Sequence, residues 1–377
     1  MMQATSFHFI EPLDVLFLRG NKLFGDPGSF GESLVPPWPS VLAGALRSQI
    51  LSNEGVNFEK FAQGHVVHPS IGSISRPGTF TLEAFDLAQC QDDGTITALH
   101  AAPADLIVTR DEQGHFSTVS RIQPEAITHG LMSSSTLPMW PVLPGTQRVK
   151  PAGGIWVNDE GWRAYLAGQK PTPGQLGHAS HLWKIDSRVG IGLDTTLRRA
   201  ADHQLFTAQA IAFKPGLGFI TAVSGATLPP RAMLRLGGDG RAASLKLVAY
   251  RAPEPDLHAI AKEGRCRIIL TTPGIFTQGW LPEGSGPGHS FELGGVRARL
   301  ACASLNRADV VSGWDLARQQ PKTALRAVPA GSVYWLDELQ AQPEQLRKLT
   351  TWGLWADTPH HEARRAEGFN RFTFAAW

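Results

Sequence analysis

Cysteine and tyrosine are scarce in this chain of 377 residues, which has three of each. The cysteines, Cys90, Cys266 and Cys302, lie far apart and form no Cys-x-x-Cys pair, which argues against a zinc knuckle and against a disulfide-bonded scaffold. No apolar run is long enough to cross a bilayer, and residues 1–14 lack the basic and apolar regions of a secretory signal. We therefore expect a cytoplasmic protein without a membrane segment.

Charge is also sparse, because charged residues make up only 18% of the chain and the formal net charge is +2. This excludes a polycation that binds nucleic acid through bulk charge, so any nucleic-acid site must be a local basic patch. The motifs of phosphate-binding loops, nucleophile elbows and zinc proteases are absent. His65 and His68 lack a third ligand nearby in the sequence, so we expect neither a metal nor a cofactor.

Strand patterns dominate the chain, and 39 glycines and 27 prolines indicate many loops. A linker pattern at Ala252–Asp256 separates two halves, in each of which a strand–helix–strand order recurs. This order predicts an α+β protein with two tandem ferredoxin-like (RRM-like) domains, residues 1–252 and 253–377. Residues 123–177 are rich in Pro, Gly and Trp and have little periodicity, so we expect an insertion outside the core.

One short helix is predicted with an unusual start, in SLVPPWPSVLAGALRSQI at Ser33–Ile50. Its prolines hold the lead-in extended, and Ser40 is a candidate N-cap or first-turn residue. Gly44 inside the helix suggests that another backbone approaches closely. A helix N-terminus can hold a phosphate, with help from Ser40 and from Arg47 if that side chain faces the same groove. The alternative is an ordinary helix that packs on a sheet.

Basic residues beside glycine turns are the other candidates for phosphate contacts. The turn RLGGDGR, Arg235–Arg241, offers successive backbone amides and two guanidinium groups, although a plain hairpin turn has the same sequence features. Trp314 lies near basic residues, a combination suited to single-stranded RNA. The full set of candidate RNA-binding residues is Arg19, Lys22, Ser40, Arg47, Arg188, Arg198, Arg199, Arg235, Gly237, Gly238, Arg241, Lys322 and Arg326.

Five stretches carry a family resemblance, and they run in family order over most of the chain. They are EPLDVLFLRGNKLFG, PPWPSVLAGALRS, RVGIGLDTTLRRAADHQLFTAQAIAF, LGGDGR and SGWDLARQQPKTALRAVPAGSVYWL. The chain resembles the family that supplies the third subunit of the type III-B CRISPR effector (Cmr) complex, in the repeat-associated (RAMP) superfamily. The most specific part of this resemblance is the last stretch combined with the first.

The resemblance implies two ferredoxin-like domains in a non-catalytic subunit that binds the 5′ repeat-derived tag of the CRISPR RNA. It also implies a heteromeric complex for antiviral defence, with docking against the large polymerase-like subunit and a backbone RAMP subunit. Residues 123–177 match weakly and would hold a thumb-like hairpin. Where the superfamily often has a glycine-rich C-terminal loop, this chain has only Gly368.

Two other functions stay open at the sequence level. A RAMP-type endoribonuclease would process repeat RNA through the substrate's own 2′-hydroxyl, with a histidine such as His8 assisting. A scaffold that contacts only proteins would fit the low charge content.

Overall fold

The computed structural model describes residues 6–18, 30–31, 33–127, 135–145, 150–194, 199–315, 318–358 and 360–377. In the first part of the chain these residues form the strands β1 (Phe7–Pro12), β2 (Phe30–Gly31), β3 (Thr81–Cys90), β4 (Ile96–Ala101), β5 (Leu106–Arg110), β6 (Phe116–Arg121), β7 (Gln123–Ala126), β8 (Met139–Val142), β9 (Ile155–Asn158), β10 (Leu176–His178), β11 (Trp183–Asp194), β12 (Arg199–Phe213), β13 (Leu217–Ser224), β14 (Arg231–Arg235) and β15 (Ala242–Val248). The later strands are β16 (Cys266–Leu270), β17 (Ser290–Leu293), β18 (Val296–Ser304), β19 (Asp309–Val311), β20 (Trp314–Asp315), β21 (Gln320–Pro321), β22 (Leu325–Ala327), β23 (Val333–Gln340) and β24 (Phe372–Ala375).

The helices are few and short in the described part of the chain. They are α1 (Pro39–Asn53), α2 (Phe58–Ala62), α3 (Asp159–Leu166), α4 (Ala179–Leu182), α5 (Leu257–Glu263), α6 (Pro343–Trp352) and α7 (Glu362–Ala366). The protein is therefore a strand-rich, mixed α/β structure. None of these helices is long and apolar enough to span a membrane.

The fold is built on two large antiparallel sheets. The first has the strand order β10-β9-β4-β3-β13-β1-β15-β14, and the second has the order β17-β18-β23-β16-β24. The first sheet uses only strands before the predicted linker at Ala252–Asp256, and the second uses only strands after it. The domain boundary itself stays a prediction.

Each sheet contains one split strand–helix–strand unit. The strands β1 and β3 flank α1 in the chain, and β13 lies between them in the sheet. In the second sheet, β23 and β24 flank α6 and α7, and β16 lies between them. The helix α1 packs its apolar residues Leu42, Leu46 and Ile50 on the first sheet, as its apolar stripe predicts.

The segment 123–177 differs from its prediction in its second half. The strand β9 pairs with β4 and extends the first sheet, and Trp162 and Tyr165 of α3 are buried in a cluster shared with the second sheet. The expectation that this segment lies outside the core is therefore wrong for these residues. Aromatic residues of this segment are buried in the core, even though its sequence shows little hydrophobic periodicity. The longest hairpin in the described chain, β11–β12, also lies outside this segment.

No other backbone approaches Gly44 closely, although its position inside the helix suggested such an approach. It is exposed, and a Cβ atom built on it would meet nothing within 4 Å. We expect Gly44→Ala to raise the free energy of unfolding by about 0.5–1 kcal/mol, because alanine loses less backbone entropy in a helix. Chemical denaturation of the two proteins would measure this difference. A lower stability of the variant would contradict the prediction.

A buried ion pair links the two halves of the chain. The guanidinium of Arg267 on β16 donates to Asp105 Oδ2 over 2.8 Å, and both side chains are fully buried. The Tyr165 hydroxyl donates to the other oxygen of Asp105 at 2.7 Å, and the Arg267 guanidinium lies 4.2 Å from the centroid of the Tyr165 ring. Asp105 and Tyr165 come from the first half of the chain and Arg267 from the second, so this contact holds the halves together.

A second polar cluster surrounds His100 on β4. Its imidazole lies 3.2 Å from Asp159 and 3.5 Å from Asp86 and stacks on Trp162, and Tyr250 donates to Asp159 at 2.8 Å. Burial by itself would lower the pKa of His100, but the two carboxylates outweigh it and raise this pKa to about 9.

This cluster predicts a loss of stability at alkaline pH. Because the pKa of His100 is raised on folding, its contribution is fully present below the unfolded value of about 6.5 and is lost as the pH rises through about 9. We expect His100→Gln to flatten the decline in the free energy of unfolding over this window. Denaturant titrations at several pH values would measure both proteins. An equal decline in the variant would show that His100 is not responsible.

Candidate nucleic-acid interface

The candidate site is centred on Phe17, which follows β1 in the chain. The preceding residue, Leu16, exchanges backbone hydrogen bonds of 2.9 and 2.8 Å with Ile211 of β12, which holds this segment against the long hairpin. The Phe17 side chain is only 7% exposed. Its ring is therefore a fixed surface on which neighbouring side chains can lie.

Two predicted arginines, far apart in sequence, meet on the Phe17 ring. The guanidinium carbon of Arg241 lies 5.2 Å from the ring centroid, and that of Arg188 lies 5.9 Å from it. Arg241 also pairs with Asp14 at 2.6 Å, and Arg188 with Asp186 at 2.9 Å. Since a guanidinium has five N–H donors, each arginine is oriented by these contacts and still has donors for an anion. The Nε group of Arg241 is buried and has no hydrogen-bond partner among the described residues.

The glycine turn supports this pair, and one of its amides is not available to a phosphate. The Gly238 amide donates to the Phe17 carbonyl at 2.8 Å, so it is already used inside the protein. Gly237 has a φ of +75°, and a Cβ atom on it would lie 2.8 Å from the same carbonyl. The turn therefore needs glycine for its close approach to Phe17. Arg235, at its start, is exposed and has no ion-pair partner in the described part of the chain.

The start of α1 packs into the interior of the protein. The N-cap is Trp38 and not Ser40, which is the second residue of the helix and is half-buried. Trp38 is buried in an apolar cluster with Val311, Ala327 and Trp355 from the second half of the chain. The proline-led helix start thus joins the two halves. A phosphate at Ser40 stays a prediction.

Arg47 and Lys322 also point into the protein. Arg47 donates to the Ile71 carbonyl at 3.3 Å, and burial lowers its pKa while the nearby Glu367 opposes that change. The Lys322 ammonium lies 2.9 Å from Glu367 Oε1. Sequence patterns predicted both as RNA contacts, but a cation bonded to an internal acceptor is less available to a phosphate.

A short arm made of β19–β22, the described residues within 309–327, lies beside the start of α1. Its inner face carries Val311 and Ala327, which pack against Trp38. Its outer face carries Val310, which is 45% exposed, and Arg326, the cross-strand partner of Val310. Trp314 is 47% exposed at the end of the arm. The arm therefore presents the aromatic ring of Trp314 and the cationic side chains of Arg318 and Arg326 to solvent.

Hydrogen bonds and the apolar contacts of Trp38 connect the parts of one region, which we call the basic groove. Its parts are residues 13–18, the start of α1, β11–β12, the turn Arg235–Arg241 and the arm. The Leu34 amide donates to the Leu18 carbonyl at 2.8 Å, and the Ser33 hydroxyl donates to the Gln209 carbonyl of β12 at 2.6 Å. Arg199 begins β12 and is exposed. Arg19, Lys22 and Arg198 lie outside the described residues.

Two residues important to this geometry were not among the candidates from sequence. Phe17 lies within the matched stretch EPLDVLFLRGNKLFG, but its spacing gives no sign that two distant arginines meet there. Glu367 follows α7 and is 4% exposed. A buried carboxylate beside Gly368 has no distinctive local pattern. His8 was a candidate catalytic group, and it is also only 4% exposed.

Comparisons with known proteins give a family and two similar folds. A family described as CRISPR-associated protein (Cas_Cmr3) matches residues 8–377. One similar structure is titled "Cryo-EM structure of the Type III-B Cmr-beta bound to cognate target RNA", with 15% identity and a TM-score of 0.48, covering 87% of this chain and 86% of that chain. Another is titled "Cryo-EM structure of the Type III-B Cmr-beta bound to cognate target RNA and AMPPnP, state 1". It has 14% identity and a TM-score of 0.49, and the match covers 97% of this chain and 95% of that chain. Comparison with curated protein sequences found no match. Because the family match spans nearly the whole sequence, the chain belongs to the CRISPR-associated Cmr3 family.

Proposed function

We propose that this chain is a non-catalytic RNA-binding subunit of a cytoplasmic type III-B effector complex for antiviral defence. In this proposal the basic groove binds the 5′ repeat-derived tag of the CRISPR RNA. The chain also docks the large polymerase-like subunit onto the backbone RAMP subunit. We further propose that its two sheets are tandem ferredoxin-like domains, which the split strand–helix–strand unit in each sheet supports.

The single observation that carries the RNA-binding proposal is the meeting of Arg188 and Arg241 on Phe17. Phosphate groups are bound well by planar guanidinium groups held in a fixed orientation. Here each guanidinium is oriented by a ring and by an aspartate. The outer face of the arm adds Trp314, an exposed ring on which a base can stack. Oriented cations and an exposed aromatic ring suit a single strand better than a duplex.

The endoribonuclease alternative has less support. The ring nitrogens of His8 are buried, and burial lowers the pKa of this imidazole although the backbone of Pro229 opposes that change. A catalytic histidine must reach the proton that it transfers. His8 could not reach the 2′-hydroxyl of a bound RNA without a large rearrangement of β1.

Photocrosslinking within the assembled complex would test the proposal. The full-length chain is assembled with its large partner, the backbone subunit and a guide RNA that carries a photoreactive nucleotide in the 5′ tag. We expect crosslinked peptides from residues 13–18, 185–191, 235–241 or 310–326. Crosslinks confined to the other subunits would overturn the proposal and favour a scaffold that contacts only proteins. Specific cleavage of repeat RNA by the purified chain, lost in His8→Ala, would favour the endoribonuclease.

A further inference from the structure

Glu367, in the turn after α7, is a buried carboxylate that binds two cations. Its Oε1 atom lies 2.9 Å from the Lys322 ammonium, and its Oε2 atom lies 2.9 Å from the Arg364 guanidinium. The Glu367 and Arg364 side chains are 5% and 7% exposed, whereas the Lys322 side chain is 36% exposed. Both carboxylate oxygens are therefore occupied, and Lys322 reaches inward from the surface to one of them.

Lys322 is also bonded through its backbone to the opposite strand of the arm. Its amide donates to the Gly313 carbonyl at 2.8 Å, and its carbonyl accepts a hydrogen bond of 2.8 Å from the Ser312 hydroxyl. Arg364 extends the contact, since its guanidinium lies 3.5 Å from the Ser312 carbonyl. The Glu367–Arg364 pair thus contacts both strands of the arm at the point where it leaves the apolar cluster around Trp38.

The turn that carries Glu367 is itself held by both sheets. The next residue, Gly368, has a φ of +88°, and a Cβ atom on it would lie 3.0 Å from Leu82 of β3. The Gly368 carbonyl accepts a hydrogen bond of 2.7 Å from Thr272, which follows β16. The turn that carries Glu367 is therefore anchored to both sheets, and the arm is anchored in turn by its contacts with Glu367.

We propose that Glu367 is a positioning residue that fixes the arm, and that Lys322 is the tether of the arm and not a phosphate ligand. The inner contacts of Val311 and Ala327 hold the base of the arm, and the ion pair holds its middle. With both in place, Trp314 and Arg326 face outward next to the start of α1. This inference rests on the proposed function, because it assigns Trp314 and Arg326 of the arm, and not Lys322, to the RNA.

The salt dependence of RNA binding separates a tether from a phosphate ligand. The assay uses the full-length chain and a 5′-labelled single-stranded RNA with the repeat-derived sequence, at several salt concentrations. We expect Lys322→Met to weaken binding several-fold with an unchanged slope of log K against log salt. The matched control Arg326→Gln should reduce that slope by about 0.7, the value for one lost phosphate contact on a single strand. A slope reduced equally by Lys322→Met would overturn the inference.

Hydrogen exchange gives a second readout that does not depend on RNA. In Lys322→Met and Glu367→Gln we expect faster exchange of the arm amides between residues 310 and 325, while amides of β3 and β16 keep their protection. Glu367→Asp keeps the charge and should restore part of the protection. The double variant Lys322→Met/Glu367→Gln should bind RNA no more weakly than the weaker single variant, because both changes break the same contact.

The two proposals fail in different ways. If Arg326→Gln and changes at Arg188 and Arg241 leave RNA affinity intact, the proposed function is wrong, although arm exchange still reports on the tether. If those changes weaken RNA binding but arm exchange in Glu367→Gln stays as slow as in the unchanged chain, Glu367 does not position the arm. Additive losses in the double variant would also contradict the shared contact.

Discussion

Replacing Arg267 by methionine is expected to lower the free energy of unfolding by about 3–5 kcal/mol. The change leaves Asp105 as a fully buried carboxylate without its hydrogen-bonded cation, and the Tyr165 hydroxyl does not compensate that loss of charge. The Arg267 guanidinium also donates to the backbone carbonyls of Ala376 and Tyr165, at 2.8 and 3.0 Å. These acceptors lose their partners as well. Equilibrium unfolding in denaturant, followed by fluorescence, would measure the loss.

The matched control for this prediction is Arg297→Met. Arg297 pairs with Glu292 at 3.0 Å on the second sheet, but both side chains are more than half exposed, at 68% and 62%. Water already solvates these charges, so we expect a change of less than about 1 kcal/mol. The double variant Arg267→Met/Asp105→Leu should recover part of the stability, since it removes the buried charge together with its partner. Equal effects of Arg267→Met and Arg297→Met would contradict the role assigned to the buried pair.

The second large effect is expected on RNA affinity, in the double variant Arg188→Gln/Arg241→Gln. We expect binding of single-stranded repeat RNA to weaken about 10-fold or more, because each change removes charge-assisted hydrogen bonds to phosphate. The slope of log K against log salt should fall by about 1.4, which corresponds to two phosphate contacts on a single strand. Fluorescence anisotropy with the full-length chain at several salt concentrations would measure both quantities.

Arg297→Gln is the control here, since it removes an exposed arginine from the second sheet, away from the basic groove. We expect it to leave both the affinity and the slope unchanged. The stability of the double variant should also stay close to that of the unchanged chain, because Arg188 and its partner Asp186 are 46% and 44% exposed and Asp14, the partner of Arg241, is 57% exposed. If Arg297→Gln weakens binding as much as the double variant does, RNA binding depends on general surface charge and not on the basic groove.

Several elements could be predicted from local pattern alone. The segment Cys266–Leu270, apolar except for Arg267, forms β16, every residue of which is buried, and the aromatic-rich segment Phe7–Pro12 forms β1. The stripe Leu42, Leu46 and Ile50 became the buried face of α1. Such patterns record which side of a strand or helix avoids water, and that preference is already present in the order of the residues.

The same reasoning was wrong wherever long-range contacts decided the outcome. The segment from Ile155 to His178 has little periodicity, yet β9 extends the first sheet and α3 fills the space between the sheets. Gly44 has no close neighbour, because the helix face that carries it is turned to solvent. A single aromatic or glycine residue does not show which distant element packs against it.

For the candidate site, the sequence by itself determined the family, the number of basic residues and their place on turns and strands. Only the tertiary structure decided their partners. It brought Arg188 and Arg241 onto Phe17, and it turned Lys322 toward Glu367. An ion pair or a ring contact depends on a distance of a few ångströms between residues that are tens to hundreds of positions apart in sequence. That distance is set by the packing of the two sheets and not by any neighbouring residue.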